Sequence, residues 1–281
     1  MGPAGFVMAG RFVFSGRTAL VTGAASGIGA ALAQALAGRG CALALADRDG
    51  AGLAPVAASA RAAGVAVSEH VIDLTDAAAV AALPAAVRAH HGGLQLLVNN
   101  AGVALAGRFE EADLDDVAWL MDVNLHAVMR LTHACLPLLR AEPQAQIVNL
   151  SSVFGIVAPA GQAAYAASKF AVRGFSEALA HEVAGTGLGV TLVHPGGVAT
   201  RIARNARIPR GLDPGQAARG LAAFERLLTM DPKPVAAAIL RGVEARAPRI
   251  VIGKDARRAL LIQRLMPVRY WSLIRRAVGE G

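Results

Sequence analysis

Three side chains could move a proton. Ser152 closes an apolar run, Tyr165 follows thirteen residues later, and Lys169 stands four beyond that. On a helix, a four-residue spacing puts two side chains on one face, one turn apart. A phenol has a pKa of roughly 10 and exchanges protons poorly at neutral pH. An ammonium one turn away favours the phenolate and lowers that pKa, each unit being about 1.4 kcal/mol. A serine hydroxyl delivered from a separate element could hold a substrate oxygen beside the phenol. The trio therefore reads as proton transfer to or from an alcohol or carbonyl. A Tyr-x-x-x-Lys pair is as readily a solvated helix face, so the elements that carry it decide its meaning.

Those elements alternate. Short apolar runs predict strands at 18–22, 41–46, 65–72, 94–98, 146–150, 188–193 and 249–252. Between them, helical patterns run from the first glycine cluster to about Gly38, then over 51–63, 76–91 and 113–140. Further helices are expected from the Tyr165 segment to about 185, near 216–229 and from Pro234 to about 246. Strands of four to eight residues alternating with helices predict an α/β fold, a doubly wound parallel sheet of about seven strands with helices on both faces. Such sheets bind ligands beyond the carboxyl ends of their strands. Gly23, Asp47, Asp73, Asn99, Ser152 and Pro195 all follow predicted strand ends, so they converge on one rim.

The first of these rim segments is Gly23-Ala-Ala-Ser26-Gly27-Ile28-Gly29, between a strand and a helix. Glycines let a backbone approach a pyrophosphate, and the helix N-terminus points free amides at the charge. Asp47 ends the second strand, where a carboxylate can accept hydrogen bonds from an adenosine ribose and repel a 2′-phosphate. Arg48 follows and pulls the other way. With Ser26 rather than a basic residue in the glycine loop, the reading favours NAD, with NADP as the alternative.

Composition narrows the class. The chain has 281 residues, 54% hydrophobic and 17% charged, too apolar for a disordered protein and sufficient for a large core. Cys41 and Cys135 match no metal spacing or redox motif, so no metal site is expected. Residues 1–10 lack a leading positive charge and a long apolar core, and read as part of a disordered lead-in over 1–11 rather than a secretory signal. No run reaches the eighteen apolar residues of a membrane span, which points to a cytoplasmic protein. The net charge of +8 is lopsided: residues 201–281 hold 17 Lys/Arg against 6 Asp/Glu, residues 1–200 hold 11 against 14.

In order and spacing, Thr22-Gly-Ala-Ala-Ser-Gly-Ile-Gly29, Asn99-Asn-Ala-Gly102, Asn124, Ser152, Tyr165-Ala-Ala-Ser-Lys169 and Pro195-Gly196 resemble the short-chain dehydrogenase/reductase family over residues 12–200. The resemblance implies a single Rossmann-type domain, over 12–255, that interconverts a secondary alcohol and a ketone. Tyr165 would be the general acid/base, and Lys169 would lower its pKa and bind the nicotinamide ribose. Ser152 would hold the substrate oxygen, and Asn124 would support Lys169 through a water. Asp73-Leu74 would contact adenine, Asn100-Ala101-Gly102 would line the adenosine-ribose region, and Val198 and Thr200 would meet the nicotinamide amide and phosphates. Where the family often has a glycine shortly after the asparagine, this chain has His126 and Ala127. His126 and His194 are expected to be structural. An NADP-dependent carbonyl reductase is the nearest alternative; a silent cofactor-binding scaffold is the rival from another class, opposed by the intact set of four. A homodimer or homotetramer is expected.

Past Thr200 the resemblance loosens into an expected substrate lid over 200–230. Leu221, Phe224, Leu227 and Leu228, with Phe154, Ile156 and Val157, suggest a lipophilic alcohol or ketone. Residues 256–281 are expected as a basic amphipathic extension, with Asp255 capping one helix and Pro267 starting another. Arginines beside Tyr270 and Trp271 suit a membrane surface, a partner subunit or a lid over the site. The segment matches no nucleic-acid motif, so no nucleic-acid partner is expected.

Overall fold

The most buried strands are those whose sequences are apolar without alternation, because both faces of the sheet are covered. In β1 (Thr18–Thr22), β4 (Leu96–Asn99), β5 (Ala145–Leu150) and β6 (Leu188–Pro195) every residue is buried, and β2 (Ala42–Asp47) is buried except at its ends. The two edges, β3 (Val67–Val71) and β7 (Arg249–Ile252), expose Glu69 and Arg249. The computed structural model describes residues 10–277, without the side chains of Arg276 and Ala277. Among these residues the seven strands form one parallel sheet in the order β3-β2-β1-β4-β5-β6-β7. The order reverses between β1 and β4, the switch point at which such sheets open a crevice.

Helices cover both faces. α1 (Gly27–Ala37), α2 (Gly50–Ala62) and α8 (Pro232–Glu244) pack with Ala19, Val21, Leu43 and Leu45 on one side. α3 (Ala77–His91), α5 (Ala127–Arg140) and α6 (Ala163–Glu182) pack with Leu20, Ala44, Leu97 and Ile147 on the other. The side chains alternate between the two cores as a strand's period of two requires. Aspartates start several of the helices: Asp49 accepts from Gly52 N, Asp76 from Ala78 N and Ala79 N, and Asp231 from Lys233 N.

Four sequence expectations change. The single helix over 113–140 is α4 (Leu114–Met121) and α5 separated by a π-helical turn at Asp122–His126. That turn carries Asn124, whose buried amide bonds the backbone of Val103 instead of lying on a regular helix face. Arg11, placed in the lead-in, pairs with Glu244 at 3.4 Å, and Phe12 is buried with its amide on Glu244 O. The expectation for residues 1–9 lies outside the described residues. Asp255 does not cap its helix: α9 (Lys254–Leu265) starts after Gly253, and the Asp255 carboxylate accepts from Gly197 N at 2.9 Å. The last helix, α10, runs Tyr270–Ala277, with Pro267 in the turn before it.

Candidate active site

The glycine loop stands on the rim at the switch point. Gly23 and Gly27 have φ of 64° and 55°, in the left-handed region where a side chain is strained. Space is short as well: a Cβ on Gly27 would stand 2.8 Å from Thr200 Cγ2, and one on Gly23 2.9 Å from Ala101 Cα. The loop is tied to its neighbours by a compact set of hydrogen bonds. Asn100 Nδ2 donates to Thr22 O at 2.8 Å and Gly23 O at 3.1 Å. The amides of Asn100 and Ala101 donate to Thr22 Oγ1, which donates to Val98 O. Asp47 holds the far side, one carboxylate oxygen accepting from Ala25 N at 2.9 Å and the other from Asp49 N at 3.0 Å. Asp73 lies at the next strand end, its carboxyl held below the ordinary range chiefly by the Thr75 amide.

Across the rim, β5 delivers Ser151 and Ser152, and α6 delivers Tyr165 and Lys169 from one face. Ser152 Oγ accepts from Phe154 N at 3.1 Å, which orients the hydroxyl, while Ser151 Oγ donates to Lys169 O. Lys169 Nζ donates to Leu150 O at 3.2 Å and lies 5.7 Å from the centre of the Tyr165 ring. Phe154 meets that ring edge-to-face at 6.1 Å. Burial pushes the phenol up to about 12, opposed by the Ser152 hydroxyl, and pushes the ammonium down to about 8. Burial thus works against the phenolate, and the hydrogen bond with Ser152 works for it.

One cavity of about 1010 Å³ joins the two halves. Its walls include Gly23, Ser26, Gly27 and Ile28 from the loop, Asp47, Arg48, Asp73 and Leu74 from the next strand ends, and Asn100, Ala101 and Gly102 after β4. Ser152, Tyr165, Lys169, Pro195, Gly196, Val198 and Thr200 complete the expected set. Two expected residues stand behind the wall. Gly29 packs under the loop, where a Cβ would collide with Gly23 O. Asn124 is wholly buried; it accepts from Val103 N at 2.8 Å and donates to Val103 O and to Ser168 Oγ, which donates on to Tyr165 O. It thus braces the strand end against the tyrosine helix, and its side chain makes no hydrogen bond to Lys169. A Cβ on Gly102 would lie 3.4 Å from both Asn124 Oδ1 and Lys169 Nζ, so that glycine keeps the space between them open.

The motifs did not assign several of the contacts that brace the site. Thr22 Oγ1 ties the Asn100–Ala101 turn to β1, and the Asp255 carboxylate holds Gly197 N from 58 residues further along the chain. His194 is fully buried, and Nδ1 lies 2.7 Å from Ser152 O. A carbonyl can only accept, so Nδ1 carries the proton. Burial lowers the ring's pKa from 6.5 to about 4, which makes it a neutral brace for the Ser152 backbone. His126, by contrast, is exposed and pairs with Asp122 at 2.8 Å. Beyond Ser152 and Tyr165 the cavity wall is completed by α7 (Pro214–Leu227), which contributes Phe224 and Leu227, by Leu228, and by Ile274 of α10. Tyr270 Oη accepts from Ala158 N at 3.1 Å, so α10 is latched to the loop after Ser152. The aromatic and basic pattern alone did not distinguish a helix packed beside the cavity from a membrane helix or a subunit contact.

A glycine loop and a buried tyrosine–lysine pair thus share one cavity at the switch point of a parallel sheet. The family model for short chain dehydrogenase matches residues 17–210, and the chain belongs to that family. It is similar to SadH of Mycobacterium tuberculosis, which bears an oxidoreductase name, with 40% identity over 270 residues covering 95% of this chain and 97% of that one. It is also similar to the 3-oxoacyl-[acyl-carrier-protein] reductase FabG of Escherichia coli, 35% identical across 68% of this chain and 77% of the relative. Among solved structures, a short chain dehydrogenase/reductase from Burkholderia phymatum in complex with NAD superposes with a TM-score of 0.85. The two are 30% identical, over 90% of this chain and 95% of that one.

Proposed function

We propose that the protein interconverts a secondary alcohol and a ketone by hydride transfer, on a lipophilic substrate, with NAD preferred over NADP. The observation that carries this is the single cavity shared by the glycine loop and the Ser152–Tyr165–Lys169 wall. The residues present fit a dinucleotide. Gly23 and Gly27 leave the loop backbone bare, the α1 N-terminus points into the same space, and Asp47 retains lone pairs for ribose hydroxyls. When bound, the dinucleotide supplies the hydride acceptor and a positive charge beside the phenol.

The chain's own residues then have separable tasks. Ser152 holds the substrate oxygen next to Tyr165, and Tyr165 takes the hydroxyl proton during oxidation or returns it during reduction. Lys169 favours the ionised phenol and binds the nicotinamide ribose. Asn124 and His194 position these groups, acting through Ser168 and Ser152 rather than on the substrate. The apolar wall of Phe154, Val157, Phe224, Leu227 and Ile274 supports a lipophilic substrate. In this reading the catalytic domain spans 12–255 with a lid over 200–230, and the basic extension begins at 256. Exposed Met129 and Phe170, on α5 and α6, support a homodimer or homotetramer built on that face.

The experiment is a coenzyme-reduction screen over a chemically broad alcohol panel with NAD and NADP in parallel. Reduction of NAD by apolar secondary alcohols is expected. Asp47→Ala should weaken NAD and relax discrimination against NADP. A wild type that already prefers NADP would reject the carboxylate argument and point to Arg48, which lines the same wall, as the controlling charge.

A further inference from the structure

α9 and α10 have two sides. One side belongs to the cavity: Ala259 and Ile274 line it, and Tyr270 and Ile274 pack with Ile156 and Val157. The other side is bare. Five of the thirteen large hydrophobic residues exposed among those described fall in this short stretch, namely Leu261, Leu265, Met266, Val268 and Leu273, so the exposure is concentrated rather than scattered. Val268 is 91% exposed and Leu265 73%. Leu261 and Leu265 stand one turn apart on α9, with Arg258 and Arg264 at neighbouring exposed positions, while Ala256 and Ala259 face the core and Arg257 lines the cavity. Arg269 and Arg275 continue the basic border. From residue 256 to 277 the sequence has six arginines and no acidic residue.

We infer that this face of α9 and α10 seats the protein on an anionic lipid surface, with the catalytic cavity opening from the opposite side of the same two helices. Apolar side chains ringed by arginines, with Trp271 half-buried among them, match the chemistry of an interfacial helix pair lying in the headgroup plane. Arginine stems can lie along the apolar layer while their guanidinium groups meet lipid phosphates. A second copy of the chain is the poorer occupant. A two-fold contact sets a patch against itself, and here that would bring arginines against arginines with no carboxylate between them. Among the described residues no helix is long and apolar enough to cross a membrane, so the contact is peripheral. A lipophilic substrate dissolved in the bilayer would then meet the enzyme beside the lid. The inference goes beyond the proposed reaction and does not depend on it.

The test is vesicle co-sedimentation of the full chain, without any activity readout. Vesicles of equimolar phosphatidylcholine and phosphatidylglycerol are compared with phosphatidylcholine alone, at low and high salt. The wild type should sediment with the anionic vesicles, weakly with the neutral ones, and less as salt rises. Leu265→Asp/Val268→Asp should abolish sedimentation. Arg264→Gln/Arg269→Gln should lower partitioning by more than tenfold, each arginine near an anionic surface being worth roughly fivefold. Both pairs of substitutions are at exposed positions, and their thermal transitions should match the wild type. Wild-type protein that stays in the supernatant, or variants that sediment as it does, would overturn the inference. So would light scattering that shows a dimer which Leu265→Asp/Val268→Asp dissociates, because the face would then be a subunit contact.

Discussion

The two walls of the cavity are built by different physics. The cofactor-side wall, from Thr22 to Thr200, is held by directional bonds: Asn100 to Thr22 and Gly23, Asp47 to Ala25, Asn124 to Val103, His194 to Ser152. The opposite wall, α7 and α9–α10, rests more on apolar packing, with exposed or part-buried ties from Tyr270 to Ala158, Asp255 to Gly197 and Gln216 to Glu111 and an exposed ion pair between Arg204 and Glu225 at 2.9 Å. Buried hydrogen bonds fix a position to a few tenths of an ångström and penalise any unpaired partner. Apolar contacts tolerate exchange of shape at similar volume. The glycine-loop wall is therefore fixed in position, and the α7–α10 wall is freer to change shape.

Substitutions on each side can break that division. The largest effect should come from Tyr165→Phe, which removes the proton donor and leaves the loop intact. Turnover should fall by about 10²–10⁴-fold with NADH affinity, read by fluorescence, nearly unchanged. Comparable turnover in the variant would remove Tyr165 from the mechanism.

Next is acid stability. Because burial lowers the folded-state pKa of His194 from 6.5 to about 4, the unfolded chain binds the extra proton between those values. Stability present above pH 6.5 is therefore lost as pH falls towards 4, by up to about 3 kcal/mol. His194→Gln keeps a donor for the Ser152 carbonyl and has no proton to gain, so its denaturation midpoint should fall less across that window. Parallel acid limbs in chemical denaturation would show that His194 is not the group responsible.

Asn100→Ala should follow. It strips the Thr22 and Gly23 carbonyls of a shared donor, a loss of about 1–3 kcal/mol, and should weaken dinucleotide binding more than it slows turnover at saturation. The smallest effects belong to the other wall. Ile274→Ala and Tyr270→Phe should each raise KM for apolar substrates severalfold, as expected for about 1 kcal/mol of lost contact, without changing NAD affinity. An equal change in NAD affinity would erase the contrast between the walls.

Much of this was legible in the sequence, and the reason is local. The seven strands and their parallel, doubly wound class followed from apolar runs alternating with helical patterns, and the rim positions of Gly23, Asp47, Asp73, Ser152 and Pro195 followed from strand ends; Asn99, expected with them, instead ends β4 buried against Thr132 and Asn149. Tyr165 and Lys169 shared a face because their spacing matches a helical turn. What escaped were the interactions between segments remote in the chain. Nothing near residue 255 announces that its carboxylate holds Gly197, and nothing around Asn124 announces a π-helical turn.

The sequence by itself marked the candidate chemistry of this protein: which groups could move a proton, which loop is bare enough for a phosphate, and on which rim they meet. These depend on short-range periodicity and on residue type, which a chain carries wherever it folds. The tertiary structure decided the ionisation of those groups, because burial opposes the phenolate that spacing alone would favour. It also decided the placement of the basic tail, whose pattern suited a membrane, a subunit or a lid equally. Only packing Tyr270 and Ile274 against the site, with Leu265 and Val268 turned outward, assigns its two sides, since an amphipathic pattern specifies that a face will be covered without specifying by what.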